Sequence, residues 1–164
     1  WRLSMGMEIE RKFLLNDDSW RKNVTQSTVF KQRYLPLSGG AAYVSGRVRI
    51  AGEKAFLTLK SAAKGFSRNE FEYEIPVADA EQMLNLFCVG GAIDKVRHIV
   101  VYQGFRWEID EFRGENTGLF IAEIELESET QSFPRPEWLG KEVTGDHRYA
   151  NSQLARTPYS QWKK

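Results

Sequence analysis

The chain has 164 residues, of which 41% are hydrophobic and 27% charged, with a net charge of +1. That length fits one domain able to bury a core. The near-neutral balance argues against general nucleic-acid binding, and no apolar run approaches the ~20 residues of a membrane-spanning helix. Cys88 is the single cysteine, so no intrachain disulfide can form. A reducing, cytoplasmic setting is expected, with Cys88 as core filler. Trp1–Met5 is too short and too poor in apolar residues for a secretory signal. The expected division is an N-terminal extension over 1–6, a working domain over 7–156 and a C-terminal tail over 157–164.

Strands are predicted near 7–14, 29–35, 43–50, 54–60, 67–75, 94–102, 105–111 and 119–127, where charged and apolar residues alternate. Asn16 to Ser19 can cap a short helix through about Asn23, because their side-chain oxygens accept from free backbone N–H groups. Pro36 with Ser38, Gly39 and Gly40 marks a loop, and Ala51-Gly52-Glu53 a tight hairpin. Residues 78–89 place Ala80, Met83, Leu84, Phe87 and Cys88 at helical spacing, with Asp79 as N-cap and Gly90-Gly91 as the stop. Gly104 separates the sixth and seventh strands. Pro136 opens a short turn over 137–142, and a last helix is predicted over about 147–156. Hairpin-length connections imply antiparallel pairing. The predicted fold is mainly β (α+β): an eight-stranded antiparallel closed β-barrel with a few short flanking helices.

Side chains on a strand alternate between its faces. One face therefore gathers Glu8, Glu10 and Lys12; Arg47 and Arg49; Lys60; Glu70, Glu72 and Glu74; Lys95 and Arg97; Glu108 and Asp110; and Glu123 and Glu125. The other carries Ile9, Phe13, Val48, Ile50, Phe56, Leu57, Leu59, Phe71, Tyr73, Ile75, Val96, Trp107, Ile109, Ile121, Ile124 and Leu126. For a single strand, a solvated outer face explains the charges equally well. A whole set of apolar faces must be covered by helices, a partner subunit or both, which leaves a homodimer open. Acid-bearing and base-bearing strands are also segregated, and like charges two residues apart cost free energy. A cation among the acids and an anion among the bases would relieve that cost.

The bases are donors suited to phosphate oxygens. The acids are hard oxygen ligands suited to Mg²⁺ or Mn²⁺. His98 and His147 are not clustered, which argues against zinc. No Gly-rich phosphate loop is present, so side chains must hold phosphate. Metal, basic clamp and closed barrel point to phosphoryl transfer to water. Glu111, Glu127 and His147 read as surface residues, and Arg106 as one half of a cross-strand ion pair. The last helix either plugs one end of the barrel or packs on its outside.

The ordered series Glu8-Ile9-Glu10-Arg11-Lys12, Arg47-Val48-Arg49, Leu57-Thr58-Leu59-Lys60, Glu70 to Pro76, Lys95-Val96-Arg97, Trp107 to Phe112 and Ala122 to Leu126 resembles the CYTH domain of the triphosphate tunnel metalloenzymes. The resemblance extends over nearly the whole chain from Met7. It implies a β-tunnel that binds a linear triphosphate with a divalent metal, and it is strongest to short bacterial inorganic tripolyphosphatases. It also implies residue roles. Glu8, Glu10, Glu123 and Glu125 match metal-holding acids, with Asp110 in support. Lys12, Arg47, Arg49, Lys60 and Arg97 match triphosphate-binding bases. Lys95 matches a lysine proposed as general base, and Tyr34 a tyrosine near one tunnel mouth, although Arg33 beside it replaces the usual small residue. Catalysis is expected from Lys95 and Glu10, with Glu70 and Glu72 as possible supports for water activation. The expected reaction is metal-dependent hydrolysis of tripolyphosphate to pyrophosphate and phosphate. Thiamine triphosphate or a nucleotide is an alternative substrate. A class IV adenylate cyclase and a non-catalytic polyphosphate-binding module are further alternatives. The expected partner is the small triphosphate, with no nucleic acid and no membrane.

Overall fold

A computed structural model describes residues 9–37, 44–61 and 69–162. The expectations for Glu8, for the loop at 38–40 and for the starts of the third and fifth strands lie outside them. The chain separates into two compact units. One is formed by 29–94 and the other by 9–28 with 95–162.

In the first unit, the 29–35 part of β2 (Val24–Leu35) pairs antiparallel with β3 (Ser45–Ala51). That strand pairs with β4 (Lys54–Lys60), and β4 with β5 (Glu70–Ile75). Helix α1 (Val77–Leu86) packs on β3 and β4. Its Ala80 joins Val48 and Ala55 in a core flanked by Leu57, Ile75, Met83, Leu84 and Cys88. Pro76, not Asp79, flanks the helix start; Asp79 lies within the first turn, where its charge complements the helix dipole. The helix also stops short of the glycines. Gly90 has a φ of +78° and lies in β6 (Val89–Tyr102), which begins five residues earlier than expected.

The second unit has the strand order β6, β7 (Phe105–Phe112), β8 (Phe120–Leu126), β1 (Ile9–Leu15), β9 (Leu139–Glu142). The turn from β6 to β7 is two residues, Gln103 and Gly104, both at positive φ. That geometry matches the twist of the flanking strands and favours glycine at the second position. Phe13, Trp20, Val100, Trp107, Ile109, Ala122, Ile124, Trp138 and Leu139 form the core. Trp107 meets Trp138 edge-on at 5.4 Å between ring centroids, and Phe13 at 5.9 Å. Such contacts add to the burial of large rings. The apolar face of β1, β7 and β8 is thus covered within the unit by the Trp20 turn, Phe133 and Trp138.

The mainly antiparallel β class with short helices is as expected, but the described residues form nine strands, not eight. The extra strand, β9, occupies the segment read as a turn. The expected 16–23 helix is a single 3₁₀ turn over Ser19–Asn23. The expected last helix divides into a 3₁₀ turn, His147–Tyr149, and α2, Asn151–Arg156. Where described, residues 157–162 pack on their own unit. Tyr159 N–H donates to Asn116 Oδ1 at 2.8 Å, and Trp162 packs on Tyr149 and Tyr159.

Candidate functional site

Strand register decides which side chains share a face. In the first unit Tyr34 stands opposite Arg47, Arg47 opposite Thr58, and Thr58 opposite Glu72. The neighbouring row is Gln32, Arg49, Phe56 and Glu74. Phe56 therefore lies on the charged face, contrary to the sequence reading, which misassigned its parity. Lys60 is opposite Glu70 and lies 3.6 Å from its carboxylate.

Two buried neutral residues order this face. Thr58 accepts from Arg47 Nη2 at 3.3 Å and donates to Glu72 at 3.0 Å. Gln32 accepts from Arg49 Nε at 3.0 Å and donates to the Tyr34 hydroxyl at 3.1 Å. Arg47 Nη2 also lies 3.6 Å from Glu72, while its buried Nε has no hydrogen-bond acceptor among the described residues. An unsatisfied buried guanidinium N–H is costly unless an acceptor arrives, and a phosphoryl oxygen is a fitting one.

In the second unit, Lys12 stands opposite Glu123, and Glu10 opposite Glu125. Glu123 is also opposite Glu108, and Asp110 is opposite both Arg97 and Ile121. Ile121, expected on the apolar face, thus belongs to the charged one and walls Asp110. Lys12 Nζ lies 3.4 Å from Glu10 and 3.5 Å from Glu123. Arg97 forms an ion pair with Glu108, reaches Glu123 at 3.8 Å and grips Asp110 through two bonds of 2.7 and 2.9 Å. Lys95 donates to the same carboxylate at 2.6 Å and has no exposed side-chain surface. One continuous network of ion pairs thereby links Lys95, Asp110, Arg97, Glu108, Glu123, Lys12 and Glu10.

Asp110 is buried, which by itself would raise its pKa. Lys95 and Arg97 outweigh that and hold the carboxyl well below the usual range. Burial likewise opposes the charge on Arg97, and Asp110, Glu108 and Glu123 more than compensate, raising its pKa. Lys12 is raised because Glu123 and Glu10 outweigh its desolvation. Glu10 behaves in the opposite way. Loss of hydration, then the adjacent Glu123 carboxylate, push it up to about 7 against the pull of Lys12.

Two adjacent carboxylates on one sheet face form a donor set that a hard divalent cation can satisfy. Glu10, Glu123 and Glu125 share a face with the correct oxygen chemistry, and the site fits such a metal with substrate oxygens completing the shell. Among the described residues no three acids, histidines or cysteines already converge on one point. Asp110 is not in this set, since both its oxygens are engaged by Lys95 and Arg97.

Other residues lie apart. Arg106 pairs along its own strand with Glu108 at 2.8 Å, rather than across strands. Arg11 emerges on the apolar face, where it stacks over Phe133 and binds Glu142 through two nitrogens at 2.6 and 2.7 Å. Glu111 accepts from Arg21 and approaches His98, away from the charged face. Glu108 was placed on the charged face without a role, and Gln32 and Thr58 were not singled out from sequence. Each has the parity of a chosen neighbour, Asp110, Tyr34 and Lys60 respectively, and that parity was the available signal.

The CYTH domain model matches residues 6–157. The chain belongs to the CYTH family. It is 44% identical over 160 residues to the inorganic triphosphatase of Acetivibrio thermocellus, covering 98% of this chain and all of that protein. It is 36% identical over 151 residues to the inorganic triphosphatase of Nitrosomonas europaea, covering 90% and 96%. A crystal structure of an inorganic triphosphatase superposes with a TM-score of 0.66 at 33% identity, covering 92% of this chain and 95% of that one. The triphosphatases of this family are metal-dependent. No helix among the described residues is long and apolar enough to cross a membrane.

Proposed function

We propose that this chain is a metal-dependent inorganic triphosphatase that hydrolyses tripolyphosphate to pyrophosphate and phosphate. The observation that carries the reading is the second unit's network, in which acids that repel one another are interleaved with buried and partly buried cations on one sheet face. The substrate class is supported by identity to inorganic triphosphatases over nearly the full chain.

Lys12, Arg97, Arg47, Arg49 and Lys60 bind phosphoryl oxygens in this reading, and Tyr34 supports Arg49 through Gln32. Glu123 and Glu125, beside Glu10, would hold Mg²⁺ or Mn²⁺. Such an ion neutralises phosphate charge and lowers the proton affinity of bound water. Glu8 shares the acids' parity by sequence and is assigned with them.

Lys95 and Glu10 were the residues expected to act in catalysis. Lys95 donates its hydrogen bond to Asp110, and a base role would sacrifice the contact that balances a buried charge. We assign it instead to hold Arg97's partner in place and to add positive field. Glu10, the carboxylate beside the acids that would hold the metal, is assigned as the proton acceptor for the attacking water. Glu72 and Glu70 balance Arg47 and Lys60. A cytoplasmic enzyme acting on a small soluble anion is consistent with the single cysteine.

The reading is tested by phosphate release from tripolyphosphate, ATP, GTP and thiamine triphosphate with Mg²⁺ and with Mn²⁺. Tripolyphosphate should give the highest kcat/KM. A clear preference for thiamine triphosphate or a nucleotide would replace the substrate, and tripolyphosphate binding without turnover under either metal would replace the enzyme with a binding module.

A further inference from the structure

We infer that Gln32 is a positioning residue that sets the affinity for the phosphoryl chain by holding Arg49. The inference rests on the triphosphate reading of the charged face. Gln32 is 1% exposed, unusual for an amide side chain in the middle of a strand. Burial of an amide is costly unless both its ends are satisfied. Here both ends are engaged, Oε1 by Arg49 Nε and Nε2 by the Tyr34 hydroxyl.

Register makes the contact direct. Gln32 and Arg49 are opposite one another on β2 and β3, so the amide meets the guanidinium at its Nε edge. Phe30, on the same face of β2, lies under the guanidinium at 5.2 Å from its ring centroid. The Nε bond and the stacked ring fix both the direction and the plane of the fork. A neutral acceptor also has a consequence that a carboxylate would not. It orients Arg49 without itself adding a negative charge beside the guanidinium. Arg49 is thereby presented as a pre-ordered donor, and binding loses less side-chain freedom.

The test is a double-mutant cycle on the whole chain: wild type, Gln32→Leu, Arg49→Ala and the double variant. Tripolyphosphate Kd is measured by calorimetry with Mg²⁺, and KM and kcat by phosphate release. Gln32→Leu should raise Kd and KM about tenfold, the scale of a hydrogen bond to a charged group, with kcat little changed. In the Arg49→Ala background the same substitution should have no further effect. Unchanged affinity in Gln32→Leu, or a full additive loss without Arg49, overturns the inference. Gln32→Met provides the same reading should the leucine variant fail to fold. Wild-type protein that binds but does not hydrolyse tripolyphosphate sinks the proposed activity alone, since the Kd cycle still decides the role of Gln32. Wild-type protein that does not bind it sinks both.

Discussion

Asp110→Asn is the sharpest single perturbation of this fold. The substitution keeps shape and removes one charge from a site where Asp110 is 1% exposed and Lys95 has no exposed side-chain surface. Arg97 retains Glu108 and Glu123 as partners, so the main loss falls on Lys95. Breaking a buried pair from one side costs about 3–5 kcal/mol, because the other charge stays desolvated. For a domain of this size each kcal/mol moves Tm by roughly 2–4 °C, giving an expected drop of about 6–20 °C. Thermal unfolding followed by circular dichroism, with urea titration as a second measure, reads the effect. Adding Lys95→Met should return part of the loss, a coupling of about 1–3 kcal/mol. A Tm within 2 °C of wild type for Asp110→Asn, with no coupling to Lys95, would refute the claim that this carboxylate holds two buried cations. The pH window has a definite sign. Asp110 is held low in the folded state, so its contribution is present at neutral pH and is lost only as pH falls through and below the ordinary aspartate value of 3.8.

Glu10 has the opposite linkage. Its carboxyl is raised from 4.5 to about 7, so the metal-free folded state binds the extra proton between those values and stability falls as pH rises through that window. Glu10→Gln should flatten that part of a metal-free stability profile and remove most turnover; a variant with near wild-type rate refutes its role. Lys60→Ala should weaken tripolyphosphate about ten- to hundredfold, the worth of a charge-assisted contact, and calorimetry showing no change places Lys60 outside the site. Lys95→Met should lower activity yet leave the shape of the pH–rate profile intact. Loss of its alkaline limb instead makes Lys95 the base. Arg11→Ala, which removes the Glu142 pair and ring stacking on the apolar face, should cost about 1 kcal/mol in urea unfolding without altering KM.

Much of this was legible in the sequence because strand parity is a local property. Glu10 and Lys12, Arg47 and Arg49, and Glu123 and Glu125 lie on their expected faces because alternation alone places them there. Parity failed where hydrophobicity was used in its place. Phe56 and Ile121 were put with the core by residue type, yet register sets them opposite Arg49 and Asp110. Asp110 was placed on the right face and assigned to support the metal, whereas here it binds Lys95 and Arg97. Whether a buried acid faces a metal or two cations depends on hairpin register and side-chain reach, which alternation alone does not give. β9 was missed because a four-residue strand without alternation owes its form to tertiary contacts, chiefly pairing with β1. Gln32 and Thr58 carry no charge, and Thr58 fills an unspecified position of the Leu57–Lys60 stretch, so only their burial and hydrogen bonds mark them.

The most direct test of the account is a phosphorus NMR time course of tripolyphosphate with the protein and Mg²⁺, followed by addition of excess chelator. The account predicts that pyrophosphate and phosphate grow in equal amounts and stop when the metal is withdrawn, and that Glu123→Gln forms neither. Undiminished hydrolysis in chelator, or an unchanged tripolyphosphate spectrum with wild-type protein, would contradict it.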